Sequence, residues 1–317
     1  MNADTDPPVI RAEGLTKSYG AFRALLGVDL DVRRGEIFGF LGPNGAGKTT
    51  AIRCLLDLIR PDGGTLRVLG IDPQQSPVEV RRRCGYLPGE LRLDENMRVD
   101  AALGFFQELR GGGNEMMRRA DELAERLALR TDAKIKNLSK GNKQKLGIVA
   151  AFMHAPELLL LDEPTSGLDP LMQHTVLDLV REARDAGATI FFSSHVLAEV
   201  QHVAERVAII RDGEIAATGR TDELTASKKV SVRVGMGPVN VAGRWLGEID
   251  GVKQTRTWSE GTGAAAELEV DLSVDGSMDG LIKRLASHRV RWLETHQASL
   301  EDVFAEHYKS EGGEGAK

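Results

Sequence analysis

Cysteine, aromatic residues, basic excess and long apolar runs are all scarce in this chain, and each scarcity removes a class of protein. Cysteine occurs twice in 317 residues, at Cys54 and Cys84. Both sit in apolar surroundings, which argues against a disulfide-stapled secreted scaffold and for two reduced core thiols. Aromatics are only 5% of the chain. The longest apolar stretches, such as Leu158 to Leu161 and Ile148 to Met153, fall far short of the roughly 20 residues of a membrane-spanning helix. Met1 to Pro8 is polar and acidic, with neither the basic nor the apolar segment of a secretory signal, so an intracellular protein is expected. The formal net charge of -6 opposes the bulk attraction behind non-specific nucleic-acid binding, and no nucleic-acid partner is expected. One local basic run, Arg81-Arg82-Arg83, reads most simply as a solvated helix end.

What is present is ample core material, 41% hydrophobic residues, beside an ordinary 28% charged. The length suggests about two domains. Val9 to Leu15 and Leu25 to Val32 read as strands of an N-terminal antiparallel unit, with a turn at Lys17-Ser18-Tyr19-Gly20. Between about 92 and 157 the pattern turns helical: Val99, Ala102, Leu103, Phe106 and Leu109 share one face, and Met116, Ala120, Leu123 and Leu127 another, after the loop Gly111-Gly112-Gly113. Short, fully apolar strands at Leu158 to Leu161, Thr189 to Ser193 and Val207 to Arg211 alternate with helices at Pro170 to Asp185 and Ala198 to Glu205. That alternation predicts an α/β domain over 1–226 with a parallel sheet covered on both faces. Composition shifts near Ser227. Strands at 230–234, 252–258, 265–272 and 289–295, with helices at 240–247, 278–287 and 299–308, predict a small βαββαβ-like α+β domain over 227–310. Residues 311–317 are expected to be a disordered tail.

The stretch Gly42-Pro43-Asn44-Gly45-Ala46-Gly47-Lys48-Thr49-Thr50 fits the phosphate-binding pattern G-x-x-x-x-G-K-[S/T]. A buried strand, Ile37 to Leu41, precedes it and an apolar helix, Ala51 to Ile59, follows, which is the context the pattern requires. Glycines let successive N–H groups turn onto an anion, the helix N-terminus adds partial positive charge, Lys48 adds a full one, and Thr49 offers a hydroxyl to Mg²⁺.

Further elements follow in order. Leu138-Ser139-Lys140-Gly141-Asn142 opens a helix. Leu158 to Leu161 ends in Asp162-Glu163, then come Ser166-Gly167-Leu168-Asp169 and, after another strand, His195. Over about residues 9 to 220 this ordered set resembles an ATP-binding cassette (ABC) ATPase, with a P-loop NTPase core and a helical subdomain. The resemblance implies ATP and Mg²⁺ as cofactors. It implies Asp162 with Thr49 at the metal, Glu163 as general base, and His195 as the switch histidine at the γ-phosphate. It also implies 138–142 as a signature binding the nucleotide of an opposite subunit, 166–169 as the D-loop, and Tyr19 stacking on adenine. Ser139 is equally readable as an ordinary N-cap, and Tyr19 as a turn-packing residue. A signature that serves the opposite subunit implies a homodimer.

Two positions depart from the family. Gly89 stands where a coupling glutamine is usual, and Asn142 replaces the signature glutamine. Glu90 is either a substitute for the missing side chain or a solvated loop residue, with the permease contact then falling on Leu91 to Arg98. The segment Gly85 to Pro88, the single cassette and the tail 299–304 resemble bacterial drug- and antibiotic-export ATPases. Those work with separately encoded permeases, which predicts a cytoplasmic subunit held peripherally at the membrane. The alternative is a soluble cassette ATPase of DNA repair or translation, but the coiled coils or paired cassettes of that group are missing. A GTPase or small-molecule kinase leaves the signature and His195 unexplained.

Overall fold

The computed structural model describes residues 7–225, 228–235, 252–260, 267–274, 277–286, 289–297 and 299–300. The chain divides into two compact units, Met1–Gly219 and Arg220–Lys317. The first unit opens with β1 (Ile10–Tyr19), β2 (Phe22–Val32), β3 (Ile37–Leu41), α1 (Lys48–Leu55), β4 (Gly63–Val68), α2 (Pro77–Arg83) and β5 (Cys84–Leu87). The helices α3 (Val99–Arg110), α4 (Asn114–Arg126) and α5 (Lys140–Phe152) follow. The unit is completed by β6 (Leu158–Asp162), α6 (Pro170–Asp185), β7 (Thr189–Ser194), α7 (Leu197–Val203), β8 (Arg206–Arg211) and β9 (Glu214–Arg220).

β1 pairs antiparallel with β2 and β4 in a three-stranded sheet. The larger sheet has the order β5-β6-β7-β3-β8-β9, with parallel pairing from β5 through β8. Every residue of β3, β6 and β7 is buried, as a parallel sheet covered on both faces demands. The two sheets and α1 share one core. Leu15 and Val28 from the antiparallel sheet, Ile52 and Leu55 from α1, and Phe38, Phe40, Leu158 and Phe191 from the parallel sheet belong to it. The Phe191 ring lies 5.9 Å from Phe38 and 5.1 Å from Phe40, centroid to centroid. Cys54 and Cys84 are buried and unpaired, and burial pushes both thiols up to about 12.

Two expectations change. β1 runs on to Tyr19, which pairs with Phe22, so the turn is Gly20-Ala21 rather than 17–20. In α3, Leu109 is 67% exposed instead of packed. The helix is rotated so that Val99 and Leu103 are buried and the same face continues to Arg110, leaving Leu109 outside. Met116, Ala120, Leu123 and Leu127 are all buried, as their spacing predicts.

The second unit contains α8 (Thr221–Leu224), β10 (Lys228–Gly235), β11 (Val252–Glu260), β12 (Glu267–Val274), α9 (Asp279–Leu285) and β13 (Arg289–Gln297). Its sheet order is β11-β12-β10-β13 with antiparallel pairing throughout, the order a split βαβ arrangement gives. The expected helix 240–247, nearly all of helix 299–308 and the tail 311–317 lie outside the described residues.

Candidate active site

The carboxyl ends of β3, β6 and β7 lie side by side, which is where open α/β sheets place their ligands. The phosphate loop leaves β3 and enters α1 at Gly47, whose φ of +112° and close approach to the Ala24 carbonyl, 2.6 Å from a hypothetical Cβ, admit glycine alone. No side chain caps α1, so its leading N–H groups stay available to an anion. Asn44 and Gly45 are exposed, Pro43, Thr49 and Thr50 partly so, and Gly42 and Ala46 are buried at the base of the loop. Lys48 is buried, and its Nζ donates to the carbonyls of Gly42 at 2.6 Å and Pro43 at 3.2 Å. Its ammonium also lies 3.2 Å from Glu163 Oε1.

At the end of β6, Asp162 accepts from Thr49 Oγ1 at 2.7 Å and from Ser193 Oγ at 3.2 Å. Burial pushes its carboxyl above the ordinary value, against the pull of those two hydroxyls. Glu163 follows in the left-handed region, φ +53°, a conformation costing about 1–2 kcal/mol for a residue with a side chain. Its backbone is held from three directions. The Glu163 N–H donates to Ser193 O at 3.0 Å, its carbonyl accepts from Ser166 N at 3.1 Å, and Gln144 Nε2 donates to the carbonyls of Glu163 and Pro164 at 2.9 and 3.0 Å. Glu163 Oε2 meets His195 Nδ1 at 2.7 Å. A carboxylate only accepts, so Nδ1 carries the hydrogen and Nε2 is left free on a half-exposed ring. Glu163 Oε1 is buried and has no hydrogen-bond partner; the Lys48 contact is an ion pair without hydrogen-bond alignment.

The remaining predicted residues divide. Ser139 caps α5, accepting from Asn142 N at 3.3 Å, which is the N-cap reading. Gly141 lies so close to the D-loop that a Cβ there would stand 2.7 Å from the Gly167 carbonyl. Leu168 is buried and Asp169 caps α6, accepting from Met172 N at 3.0 Å. Leu138 and Lys140, with Gly89, line a neighbouring cavity of about 320 Å³. Tyr19 is 46% exposed at the end of β1, with Lys17 Nζ 5.9 Å from its ring centroid. A Cβ on Gly89 would stand 3.3 Å from Asp162 Oδ2, so that position adjoins the Asp162 carboxylate. Glu90 lines the same cavity as Gly89, with its side chain 75% exposed and paired with Arg92 at 2.9 Å.

A family model described as "ABC transporter" matches residues 25–166. The daunorubicin/doxorubicin resistance ATP-binding protein DrrA of Streptomyces peucetius is 42% identical over 221 residues, 69% of this chain and 67% of the relative. The linearmycin resistance ATP-binding protein LnrL of Bacillus subtilis (strain 168) is 30% identical over 310 residues, 93% of this chain and 97% of its own length. This chain belongs to the ABC transporter family. A solved structure of an ATP-binding subunit of an ABC transporter is 32% identical, covers 68% of this chain and 91% of its own, and superposes with a TM-score of 0.64. The dimeric ATP-binding cassette MJ0796 bound to ADP and Pi, 23% identical with a TM-score of 0.62 over 67% of this chain and 98% of its own, shares the fold. The protein is thus an ATP-binding cassette ATPase.

The cassette's donor set fits Mg²⁺. A hydroxyl and a desolvated carboxylate oxygen already 2.7 Å apart, Thr49 Oγ1 and Asp162 Oδ2, are hard oxygen ligands that a divalent cation would share with substrate phosphates. Among the described residues no group of three or more His, Cys, Asp or Glu side chains could hold a metal alone. Three contributors escaped the sequence reading: Gln144, Glu199 and Thr165. Glu199 Oε2 accepts from Thr165 Oγ1 at 2.6 Å and Ser194 Oγ at 3.3 Å, tying the segment after Glu163 to the one before His195. Burial pushes the Glu199 carboxyl up. Gln144→Leu should destabilise the cassette by about 1–3 kcal/mol, because two carbonyls lose their buried donor. Urea denaturation measures this, and an unchanged midpoint would show that the bridge from α5 to Glu163 contributes nothing.

Proposed function

We propose that this cassette is the ATP-driven motor subunit of a membrane exporter for drugs, antibiotics or lipids. It works as a homodimer closing over two ATP·Mg, with a separately encoded permease. The observation that carries this reading is the meeting of Lys48, Thr49, Asp162, Glu163 and His195 at one sheet edge, in a chain whose relatives are named for daunorubicin and linearmycin resistance. Lys48 and the N-terminus of α1 hold the β- and γ-phosphates, Tyr19 stacks on adenine, and residues 138–142 face the nucleotide of the partner. Glu163 takes a proton from the attacking water through Oε1, the oxygen left without a hydrogen-bond partner. His195 fixes the other oxygen through Nδ1–H and stands beside the γ-phosphate. Thr49 and Asp162 would hold Mg²⁺, which would supply positive charge to offset that of the phosphates. The C-terminal unit carries no nucleotide motif and is assigned to dimerisation or regulation.

No helix among the described residues is long and apolar enough to cross a membrane, so membrane association rests on the permease. An apolar groove of about 310 Å³, lined by Leu58, Tyr86, Pro88, Leu91 and Phe106, supports a permease contact at the segment following Gly89. Co-expression with its cognate permease should move the chain into the membrane fraction and raise its ATPase rate. A chain that stays soluble and unstimulated would favour the mechanical ATPase of repair or translation.

The exposure of Glu90 and its pairing with Arg92 favour a surface residue over a catalytic substitute. Glu90→Ala should leave permease-stimulated hydrolysis within about twofold of wild type, as for other exposed positions. Gly89→Gln, which adds an amide beside Asp162, should be tolerated or raise the coupled rate. A strong loss of stimulated ATPase in Glu90→Ala would restore Glu90 to the coupling machinery.

A further inference from the structure

The run Arg81-Arg82-Arg83, expected as a solvated helix end, is divided among three tasks. Arg81 donates to the carbonyls of Leu56 at 2.9 Å and Asp57 at 3.4 Å, beyond the end of α1. Arg83 forms a two-pronged pair with Glu157 at 2.6 and 2.8 Å. Arg82 turns to a different place, a cavity of about 380 Å³ that Arg110, Arg119 and His154 also line. Among the described residues, none of those three arginines is ion-paired with a carboxylate.

Arg110 sits where the rotation of α3 carries a side chain inward. Its guanidinium donates to the carbonyls of Arg82 at 3.2 Å and Cys84 at 3.1 Å, neutral partners that leave its charge unbalanced. Burial pulls its pKa down, with no carboxylate to offset the loss of solvent. A half-buried cation without a counter-ion is an unfavourable arrangement that an anion relieves. The N-cap of the 13-residue helix α4, Gly113, lies on the wall of the same cavity, and no side chain caps that N-terminus. Glu115 is the one carboxylate on the wall; it is 77% exposed and engaged by Arg118. The buried Met116 and Met153 supply an apolar side.

His154 narrows the ligand. Its Nε2 lies 3.2 Å from the Cys84 carbonyl, which can only accept, so Nε2 carries the hydrogen. Nδ1 is then a bare acceptor, buried and without a partner. Burial, helped by Arg110 and Arg119, holds the imidazole at about 4 and therefore neutral near pH 7. The cavity thus offers guanidinium donors for anionic oxygens and one acceptor for a hydroxyl hydrogen. A terminal phosphate that keeps an O–H satisfies both, whereas sulfate, fully ionised, leaves Nδ1 unpaired. We propose that Arg82, Arg110, Arg119 and His154 form a second anion site, separate from the ATP-binding loop, for the protonated terminal phosphate of inorganic phosphate or a phosphomonoester. The remaining cavity volume and its methionine wall leave room for the organic part of a monoester.

The test follows the ring-nitrogen signals of His154 in the full-length protein by NMR, assigned through their loss in His154→Gln, while inorganic phosphate is added at constant ionic strength. This readout is blind to phosphate on the ATP-binding loop. The His154 Nδ1 signal should move with phosphate and respond at least several-fold more weakly to sulfate. Arg119→Gln, which removes a guanidinium with no hydrogen bond among the described residues, should weaken the apparent affinity about tenfold or more. A parallel arm measures binding to phosphatidylcholine vesicles with and without phosphatidic acid, whose headgroup is a phosphomonoester. Arg119-dependent binding to the phosphatidic acid vesicles assigns the site to a lipid headgroup. A response to dissolved phosphate alone assigns it to a soluble ligand. No response in either arm, an equal response to sulfate, or full affinity in Arg119→Gln overturns the proposal.

Discussion

Glu163→Gln is expected to lower ATP hydrolysis by about two to four orders of magnitude, the range a positioned general base contributes, while ATP binding persists. The substitution keeps size and shape but gives one end of the side chain an amide that cannot take a proton. The fold spends strain on placing this residue. Its backbone is left-handed at φ +53° and is clamped by Ser193, Ser166 and Gln144, while one carboxylate oxygen is fixed by His195 at 2.7 Å. Such over-determination is typical of a group that must point in one direction. The glutamine keeps every backbone clamp, so a folding defect is not expected. In the proposed homodimer ATP would hold the two cassettes together until it is cleaved, so the variant should accumulate as an ATP-bound dimer on size exclusion. Steady-state ATPase assays decide the matter: a rate near wild type removes Glu163 from the role of base.

The parts of this site that are local in sequence were legible there, and the parts made by packing were not. Lys48, Thr49, Asp162, Glu163 and His195 each belong to a short pattern at the end of an apolar strand, so order and spacing sufficed to bring them to one sheet edge. Gln144 reaches the carbonyl of Glu163 across 19 positions and Glu199 reaches Thr165 across 34. Nothing local marks either, since each is one polar residue on a helix. The rotation of α3 was undecidable for a related reason. Leu109 and Arg110 lie about 100° apart on the helix, and only the surfaces of α5 and β5 determine which of them turns inward. At Glu90 the sequence leaves two readings open, a substitute for the missing glutamine or a solvated loop residue, and only the position of the side chain, exposed and paired with Arg92, favours the second.

Lys48→Ala should weaken ATP binding by about 10- to 100-fold, the equivalent of one charge-assisted hydrogen bond to a phosphate. The ammonium is buried and already fixed in place, with its Nζ 2.6 Å from the Gly42 carbonyl and 3.2 Å from that of Pro43. Incoming phosphates therefore find a cation whose side-chain entropy has been lost in folding rather than in binding. The same ammonium is 3.2 Å from Glu163 Oε1, so phosphates that draw it away also release the proposed base from its ion pair. Removing the lysine removes both roles. Binding of ATP, measured by calorimetry, should fall because the charge beside the β- and γ-phosphates is gone. Catalysis at saturating ATP should fall as well, since the γ-phosphate loses the cation that holds it in line with Glu163. An alanine variant that keeps wild-type affinity would mean that the α1 N-terminus and Mg²⁺ alone hold the phosphates, and would remove Lys48 from the binding site.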